Sequence, residues 1–198
     1  MNPGLLVVVS GPAGVGKGTV VSRAREQNKD IVFSVSATSR CPRPGEIDGK
    51  NYFFVSRERF LEMIREGALL EWVEYCGNYY GTPKMYVEQE LEKGHVVLLE
   101  IEVEGAHNVK RQYPDCISVF ITPPTIEELR KRITKRGTES PEVIEKRMKR
   151  ALEEMEQLDS YDYIIKNESV EDSARQLLDI IEKERNRIKN NCIRSDNE

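Results

Sequence analysis

Residues 11–19 carry the pattern in this chain that most directly predicts chemistry. They read Gly11, Pro12, Ala13, Gly14, Val15, Gly16, Lys17, Gly18 and Thr19. Glycines let backbone N–H groups turn inward around phosphate oxygens, and a helix that begins at such a turn presents its positive dipole end to them. A lysine adds a mobile positive charge for a transferring phosphate. The spacing therefore predicts a phosphate-binding loop (the P-loop).

The loop departs from the common phosphate-binding pattern at one position. That pattern has Ser or Thr directly after the lysine, whereas here Gly18 intervenes before Thr19. We therefore expect Mg²⁺ to be held largely by phosphates, water and other carboxylates, and not directly by this loop. The alternative is a glycine-rich turn with a chance lysine. A dinucleotide-binding fold is disfavoured because G-x-G-x-x-G does not occur.

Acidic residues stand at alternate positions where a second apolar run ends. With the period of a strand, Glu100, Glu102 and Glu104 would point to one side at its carboxyl end, where open parallel sheets bind ligands. Like charges so close repel each other unless a cation or hydrogen-bond donors stand between them. Magnesium–nucleotide is the candidate, and an exposed acidic strand end is the alternative.

Arginines and tyrosines cluster between these two regions. Arg40 and Arg43 are three apart in a stretch stiffened by prolines, and arginine forks fit phosphate oxygens bidentately. The run 77–82 contains two tyrosines, which donate hydrogen bonds to phosphate and offer a ring face to a base. Taken singly, such residues are more often surface arginines and core aromatics.

The elements that position these residues follow from hydrophobic patterning. Continuous apolar runs at 5–9, 96–99, 117–121 and 163–165 are typical of strands buried on both faces. Helical patterns separate several of them, including 17–27 and 174–187. Buried strands that alternate with helices predict parallel βαβ units.

Two segments interrupt this core pattern. Residues 36–93 are rich in Arg, Pro, Gly, Tyr and Glu, with short mixed strands such as 51–55, and are predicted to form a small inserted α+β lobe. Residues 127–150 hold nine basic and five acidic residues, so this helical hairpin carries +4 on a chain of net charge −4. Thr125 and Glu128 form a capping box for its first helix. The core is then 1–35, 94–126 and 151–198.

Composition limits the class of protein. The 198 residues, 38% hydrophobic and 32% charged, suffice for one core with an inserted lobe. A net charge of −4 excludes a uniformly basic nucleic-acid-binding protein. No apolar run is long enough to span a membrane, and the start lacks a signal-peptide pattern. The four cysteines are far apart, without zinc-site or disulfide spacing. We expect a cytoplasmic protein with reduced thiols.

Together these segments resemble the guanylate kinase family, which phosphorylates GMP with ATP. The motifs G-P-A-G-V-G-K-G-T, S-x-T-S-R-x-P-R-x-G-E, G-K-x-Y, L-E-W, G-N-Y-Y-G and R-G-T-E stand in family order across residues 5–167. The resemblance implies an α/β P-loop kinase core with a parallel sheet flanked by helices. It also implies that 36–93 is a GMP-binding lobe and 127–150 an arginine-bearing helical lid.

The resemblance assigns roles to individual positions. It implies ATP binding by residues 11–19. It also implies catalytic roles for Lys17, Arg40, Arg43, Arg132, Arg136 and Arg147. It implies GMP-phosphate contacts at Arg40, Arg43, Tyr52 and Tyr80, guanine contacts at Ser36, Glu71 and Thr82, lid arginines at Arg132, Arg136 and Arg147, and acceptor-side carboxylates at Glu100 and Glu102. Mg²⁺ with ATP is the implied cofactor. The expected partners are nucleotides, with no nucleic acid, membrane or obligate protein partner.

Three points remain open in the sequence. Glu102 stands where the family usually has Asp, and Glu104 where Gln is usual, so the geometry at Glu102 toward GMP and metal is in question. A non-catalytic module of related fold would typically lack the P-loop lysine or the lid arginines. A kinase for another nucleoside monophosphate differs at Glu71.

Strand alternation predicts that Trp72 faces away from Glu71 and packs in the core of the lobe.

Overall fold

A computed structural model describes residues 4–75, 77–134 and 141–195, with side chains as far as residue 190. In chain order the strands are β1 (Leu5–Ser10), β2 (Ile31–Phe33), β3 (Ala37–Thr38), β4 (Phe53–Phe54), β5 (Leu69–Tyr75), β6 (Asn78–Pro83), β7 (Val96–Glu100), β8 (Ile117–Thr122) and β9 (Tyr163–Lys166). The helices are α1 (Lys17–Gln27), α2 (Arg57–Arg65), α3 (Lys84–Glu92), α4 (Val103–Gln112), α5 (Ile126–Thr134), α6 (Pro141–Met155) and α7 (Val170–Ser195).

The central sheet has the order β2-β7-β1-β8-β9, and all of its neighbouring pairs are parallel. All six residues of β1 are buried, because helices cover both faces. Val7 and Val9 pack in one cluster with residues of α1, α5, α6 and α7. Leu6 and Val8 pack in another with residues of α3 and α4. Each fully buried side chain of this kind contributes roughly 1.5–3 kcal/mol. The predicted α/β fold with a parallel sheet is confirmed.

A second sheet, of order β4-β3-β6-β5, forms most of the small lobe. Only β3 and β4 are parallel in it; β6 runs antiparallel to both β3 and β5. Helix α2 covers one face, with Phe60 fully buried and stacked on Tyr79 at 5.4 Å between ring centroids. The helix begins after Ser56, whose Oγ accepts a hydrogen bond from the N–H of Arg59, as an N-cap does.

The four apolar runs predicted as buried strands correspond to β1, β7, β8 and β9. Burial on both faces is wrong for β9, which lies at the edge of the sheet and leaves Ile164 52% exposed. Strand β2 was not predicted, because its three apolar residues are too short a run to stand out beside a helix end. The capping interaction predicted before α5 is present, since Thr125 Oγ1 accepts from the N–H of Glu128 at 3.1 Å. Within the described residues, no helix has both the length and the apolar character needed to cross a bilayer.

Strand pairing places the carboxyl ends of β1 and β7 side by side. Val9 lies opposite Glu100 in the parallel register, and the P-loop follows β1 directly. Chain positions that are about 90 residues apart in sequence thus meet at one edge of the sheet. The crevice at the carboxyl ends of parallel strands is the expected ligand site in such folds.

Two predictions from strand alternation are wrong. Strand β7 ends at Glu100, and Glu102 is the extended N-cap of α4 (φ −72°, ψ 162°), so the helix turns Glu104 outward to an exposed position. Trp72 does lie on the strand face opposite Glu71, but 42% of it stays exposed. The hydrophobic cluster under α2 includes Tyr79 but not Trp72. The Trp72 and Tyr79 rings meet in a T-shaped arrangement, with 6.0 Å between their centroids.

Candidate active site in the cleft between the two sheets

A cleft with a volume of about 700 Å³ lies between the P-loop, the end of β7 and the small lobe. Most of the residues singled out from the sequence line it. They are Pro12, Ala13, Gly14, Gly16, Lys17, Gly18, Thr19, Ser36, Arg40, Arg43, Tyr52, Glu71, Tyr80, Glu100, Glu102, Arg132 and Arg147. Tertiary structure therefore gathers residues from widely separated parts of the sequence, between positions 12 and 147, around one cavity.

The P-loop has the backbone that its glycines predict. Gly16 precedes α1 in the left-handed region (φ 98°), and Gly14 has φ 89°, conformations that other residues rarely adopt. The first turn of α1 contains no acidic residue, so nothing there competes with an anion for the positive helix end. Lys17 is 8% exposed, and its Nζ donates to the carbonyl of Gly11 at 2.5 Å.

Gly11 and Val15 belong to the loop but do not line the cleft. The Val15 side chain is buried in the core, and its carbonyl accepts hydrogen bonds from Arg132 Nη1 at 3.1 Å and Asn167 Nδ2 at 2.8 Å. Asn167 follows β9 and is itself held by Ser173 Oγ. These bonds fix the outer side of the P-loop from two directions. Asn167 had no distinguishing signal in the sequence.

Arg40 and Arg43 are organised by a carboxylate that the sequence did not mark as a site residue. Glu46 accepts from Arg40 Nη2 at 2.9 Å with one oxygen and from the backbone N–H of Arg43 at 2.7 Å with the other. The Arg40 guanidinium holds the pKa of Glu46 below its usual value. Arg40 also lies over the Tyr52 ring at 5.5 Å. Glu46 is the last residue of the S-x-T-S-R-x-P-R-x-G-E motif, which is the signal that could have identified it.

Tyr52 and Tyr80 face each other across the acceptor side of the cleft, with ring centroids 6.0 Å apart. Burial raises the pKa of Tyr52 to about 12, and the nearby Glu100 carboxylate adds to the shift. Tyr52 therefore keeps its phenolic proton at neutral pH. It can donate that proton in a hydrogen bond to a phosphate oxygen.

Glu71 is a buried carboxylate aimed into the same cleft. It is 5% exposed on β5, and its Oε1 accepts from Thr82 Oγ1 on β6 at 2.7 Å. Burial raises its pKa to about 7, against the opposing effect of the Thr82 hydrogen bonds. Thr82 is fully buried behind Glu71 and does not line the cavity, whereas Ser36 does. The group can thus present a carboxylate at or above neutral pH.

Glu100 and Glu102 lie where β7 meets the P-loop, as predicted, although Glu104 does not. Burial raises the pKa of Glu100, an effect that the positive charge of Lys17 partly offsets. Among the described residues, the buried Oε2 atom of Glu102 has no hydrogen-bond partner. A buried acceptor oxygen without a donor is costly unless a ligand satisfies it. This oxygen suits the hydrated cation of a nucleotide complex.

Two of the three proposed lid arginines reach the cleft. Arg132 lies on α5 and Arg147 on α6, and both line the cavity. Leu129 and Ile133, on the neighbouring face of α5, are buried against the P-loop, where their side chains lie beside Gly14. Arg136 lies outside the described residues. An ion pair between Arg130 and Glu145 joins the two helices.

The structure adds residues that the sequence reading missed. Val73, Tyr75, Gly81 and Ile101 also line the cleft. The guanidinium of Arg150, a residue of α6, stacks on the Tyr75 ring, with its Cζ atom 4.0 Å from the ring centroid. Arg150 was counted only as part of the basic segment. Its stacking depends on how α6 packs beside β5, which no local pattern encodes.

Comparisons with known proteins agree with this geometry. A sequence model of the guanylate kinase family matches residues 4–184. A guanylate kinase from Halalkalibacterium halodurans is 55% identical over 168 residues, covering 85% of this chain and 82% of its own. One from Lactococcus lactis subsp. lactis is 52% identical over 185 residues, covering 93% and 90%.

A solved structure extends the agreement to the fold. The crystal structure of guanylate kinase from Anaplasma phagocytophilum superposes with a TM-score of 0.80 at 35% identity, covering 93% of this chain and 88% of that one. The family match spans both sheets, the P-loop and the described parts of the basic helical hairpin. This chain therefore belongs to the guanylate kinase family.

Proposed function

We propose that this chain catalyses the guanylate kinase reaction, transfer of the γ-phosphate of ATP to GMP to give ADP and GDP, in the cleft between its two sheets. One observation supports this most directly. The P-loop and a buried carboxylate suited to guanine line the same cavity, with a cluster of arginines and tyrosines between them. A donor phosphate and an acceptor phosphate can therefore meet in it.

On the donor side, the P-loop amides and the start of α1 bind the ATP phosphates. Lys17 exchanges its bond to the Gly11 carbonyl for contacts with the β- and γ-phosphates. Arg132, which already touches the loop through Val15, and Arg147 lie beside the same phosphates. Arg136 is assigned to this group by the family resemblance and stays a prediction.

On the acceptor side, Arg40 and Arg43 bind the GMP phosphate, with Tyr52 and Tyr80 as neutral donors. Glu46 preorganises the Arg40 guanidinium and fixes the Arg43 backbone, so little side-chain entropy of Arg40 is lost when phosphate binds. Glu71 accepts from guanine N1–H and the exocyclic amine. Adenine has a bare acceptor at N1, which a carboxylate repels.

Magnesium enters with ATP in this proposal. When bound, Mg²⁺ would neutralise the negative charge that develops on the phosphates during transfer. The buried, unpartnered Oε2 of Glu102 and the nearby carboxylate of Glu100 fit its water shell. Thr19 lines the cleft one residue beyond the usual hydroxyl position.

Catalysis in this arrangement is mostly positioning and charge stabilisation, so no side-chain nucleophile is required. We propose that residues 127–150 act as a lid whose positive charge draws it toward bound ATP, and that closure excludes water. In this scheme 36–93 binds GMP, and 1–35, 94–126 and 151–198 form the core. A cytoplasmic location stays a prediction.

A coupled spectrophotometric assay with ATP and GMP, dGMP, AMP or UMP tests the proposal. We expect turnover with GMP, weaker turnover with dGMP, and AMP or UMP rates lower by roughly four orders of magnitude, because a buried carboxylate rejects unmatched bases. Lys17→Ala serves as the inactive control and should lose at least about 10²-fold in turnover. Exposed Lys29→Ala is its matched neutral control.

Each alternative function predicts a different assay result. A non-catalytic binding module would give no turnover with any acceptor and identical traces for Lys17→Ala. A kinase for another nucleoside monophosphate would prefer AMP or UMP. The first result would overturn the proposed reaction, and the second would overturn the assignment of Glu71 as the guanine-reading residue.

A further inference from the structure

The Glu71 carboxylate is held between two elements. Its Oε1 accepts from Thr82 Oγ1 at 2.7 Å on β6. Its Oε2 points the other way, toward the first turn of α4, and lies against Gly105. The side chain is 5% exposed and lines the cleft, so the cleft is the direction in which it has room to move.

Gly105 leaves no space for a side chain on that side. A Cβ atom built there would stand 2.6 Å from Glu71 Oε2 and 3.3 Å from Glu71 Cδ, but an ordinary 3.6 Å from Ile101 Cδ1. Heavy atoms in van der Waals contact settle at roughly 3.5–4.0 Å. A methyl group at this position and the carboxylate in its present orientation therefore exclude each other.

The backbone does not explain this glycine. Gly105 lies within α4 and is not among the glycines with positive φ. Glycine is a poor helix former, so alanine would be the better residue for the helix itself. The requirement for a missing side chain comes from the carboxylate that rests there.

We propose that Gly105 is a positioning residue for guanine recognition, forming the wall that fixes the orientation of the Glu71 carboxylate. The inference rests on the proposed function, in which Glu71 reads the base. Thr82 sets one oxygen and the bare surface of Gly105 sets the other. The orientation of the carboxylate is then fixed before GMP arrives.

The atom that would have to move is the end of a side chain, not backbone. A methyl group at position 105 should therefore push the carboxylate by a distance on the order of 1 Å and leave the fold intact. A misplacement of about 1 Å in a recognition group can cost roughly 10²-fold. The loss should fall on GMP, because the P-loop and its contacts are unchanged.

The experiment is steady-state kinetics and thermal unfolding of Gly105→Ala. We expect KM for GMP to rise by about 10- to 100-fold, KM for ATP to stay within about threefold, and the melting temperature to be unchanged or higher, because alanine favours the helix. Glu104→Ala, an exposed position in the same helical turn, is the matched control and should leave both KM values unchanged.

A double-mutant cycle separates positioning from a general packing effect. In a Glu71→Ala background there is no carboxylate to displace, so Gly105→Ala should raise KM for GMP no further. Additive losses would overturn the inference. A lower melting temperature with equal losses for ATP and GMP would also overturn it, because the helix and not the carboxylate would then have yielded.

The inference and the proposed function fail in distinguishable ways. An active Gly105→Ala enzyme with unchanged KM for GMP would overturn the positioning role alone. Absence of phosphotransfer to GMP by the unmodified chain would overturn both.

Discussion

At the scale of single residues, surroundings decide what each carboxylate in the cleft can do. Glu46 is paired with Arg40, which lowers its pKa, whereas burial raises the pKa of Glu71 to about 7. Glu46 is thus permanently charged and suited to hold arginines. Glu71 changes its charge within the range where the enzyme works.

This difference predicts the pH dependence of GMP use. GMP binding requires the ionised form of Glu71, so below pH 7 the binding of GMP releases a proton from this group. The value of kcat/KM for GMP should therefore rise about tenfold per pH unit up to roughly pH 7 and then level off. The GMP phosphate titrates nearby. Glu71→Gln retains that titration, so the ratio of wild-type to variant kcat/KM between pH 5.5 and 8.5 isolates Glu71 and should follow this rise. A ratio that is independent of pH would show that Glu71 is already ionised in acid or does not contact the base.

Glu102 yields a second prediction at this scale. One oxygen of its carboxylate is buried and has no partner among the described residues, and the residue itself is the N-cap of α4. Aspartate is a preferred N-cap residue and keeps the charge, so Glu102→Asp should keep kcat within about threefold and gain up to about 1 kcal/mol of stability. Glu102→Ala should lose at least about 10²-fold in kcat. Kinetics and urea unfolding measure both. Wild-type activity in both variants would reduce Glu102 to a helix N-cap without a role in catalysis.

At the scale of elements, α6 connects the basic hairpin to the small lobe. Arg150 stacks on Tyr75 of β5 and donates to Glu154 Oε1 at 3.1 Å, while Glu154 is only 8% exposed. One face of α6 therefore contacts the small lobe. The neighbouring pair Lys149–Glu153 has the same spacing but faces solvent.

This pairing predicts unequal costs for two adjacent truncations. Arg150→Ala should cost about 1–2 kcal/mol of unfolding free energy, because it removes a cation–π contact and leaves Glu154 without its partner. Lys149→Ala should cost less than about 0.5 kcal/mol. Urea unfolding measures both, and a cycle with Tyr75→Leu should give a coupling of about 0.5–1 kcal/mol. Equal costs for Arg150 and Lys149 would contradict the contact.

At the scale of the whole molecule, a cationic cleft is set in an acidic protein. The chain carries a net charge of −4, yet the cleft is lined by Lys17 and four arginines. Such a local field attracts anionic nucleotides, and salt screens it.

The charge distribution predicts a salt effect on binding more than on chemistry. Raising NaCl from roughly 0.05 M to 0.5 M shortens the screening length severalfold, so KM for GMP should rise several-fold while kcat changes less. Guanosine lacks the phosphate, and its inhibition constant should change little. An equal salt effect on guanosine and GMP would place the main attraction at the base.

Local patterns were enough for most of the elements. The P-loop and the runs that became β1, β7, β8 and β9 are encoded by residues close in sequence, so the sequence predicted them. Strand β2, the end of β7 at Glu100 and the exposure of Trp72 depend on neighbours far away in the chain. For that reason, alternation alone misplaced Glu104 and Trp72.

The sequence by itself determined the α/β class, the P-loop and the family's motif residues, because each depends on residue type and short-range spacing. The packed structure was needed to show that burial raises the pKa of Glu71 to about 7 and that Gly105 closes the space beside that carboxylate. Those properties arise where strands and helices that are distant in sequence come within a few ångströms. Burial, desolvation and steric contact exist only once the chain has packed.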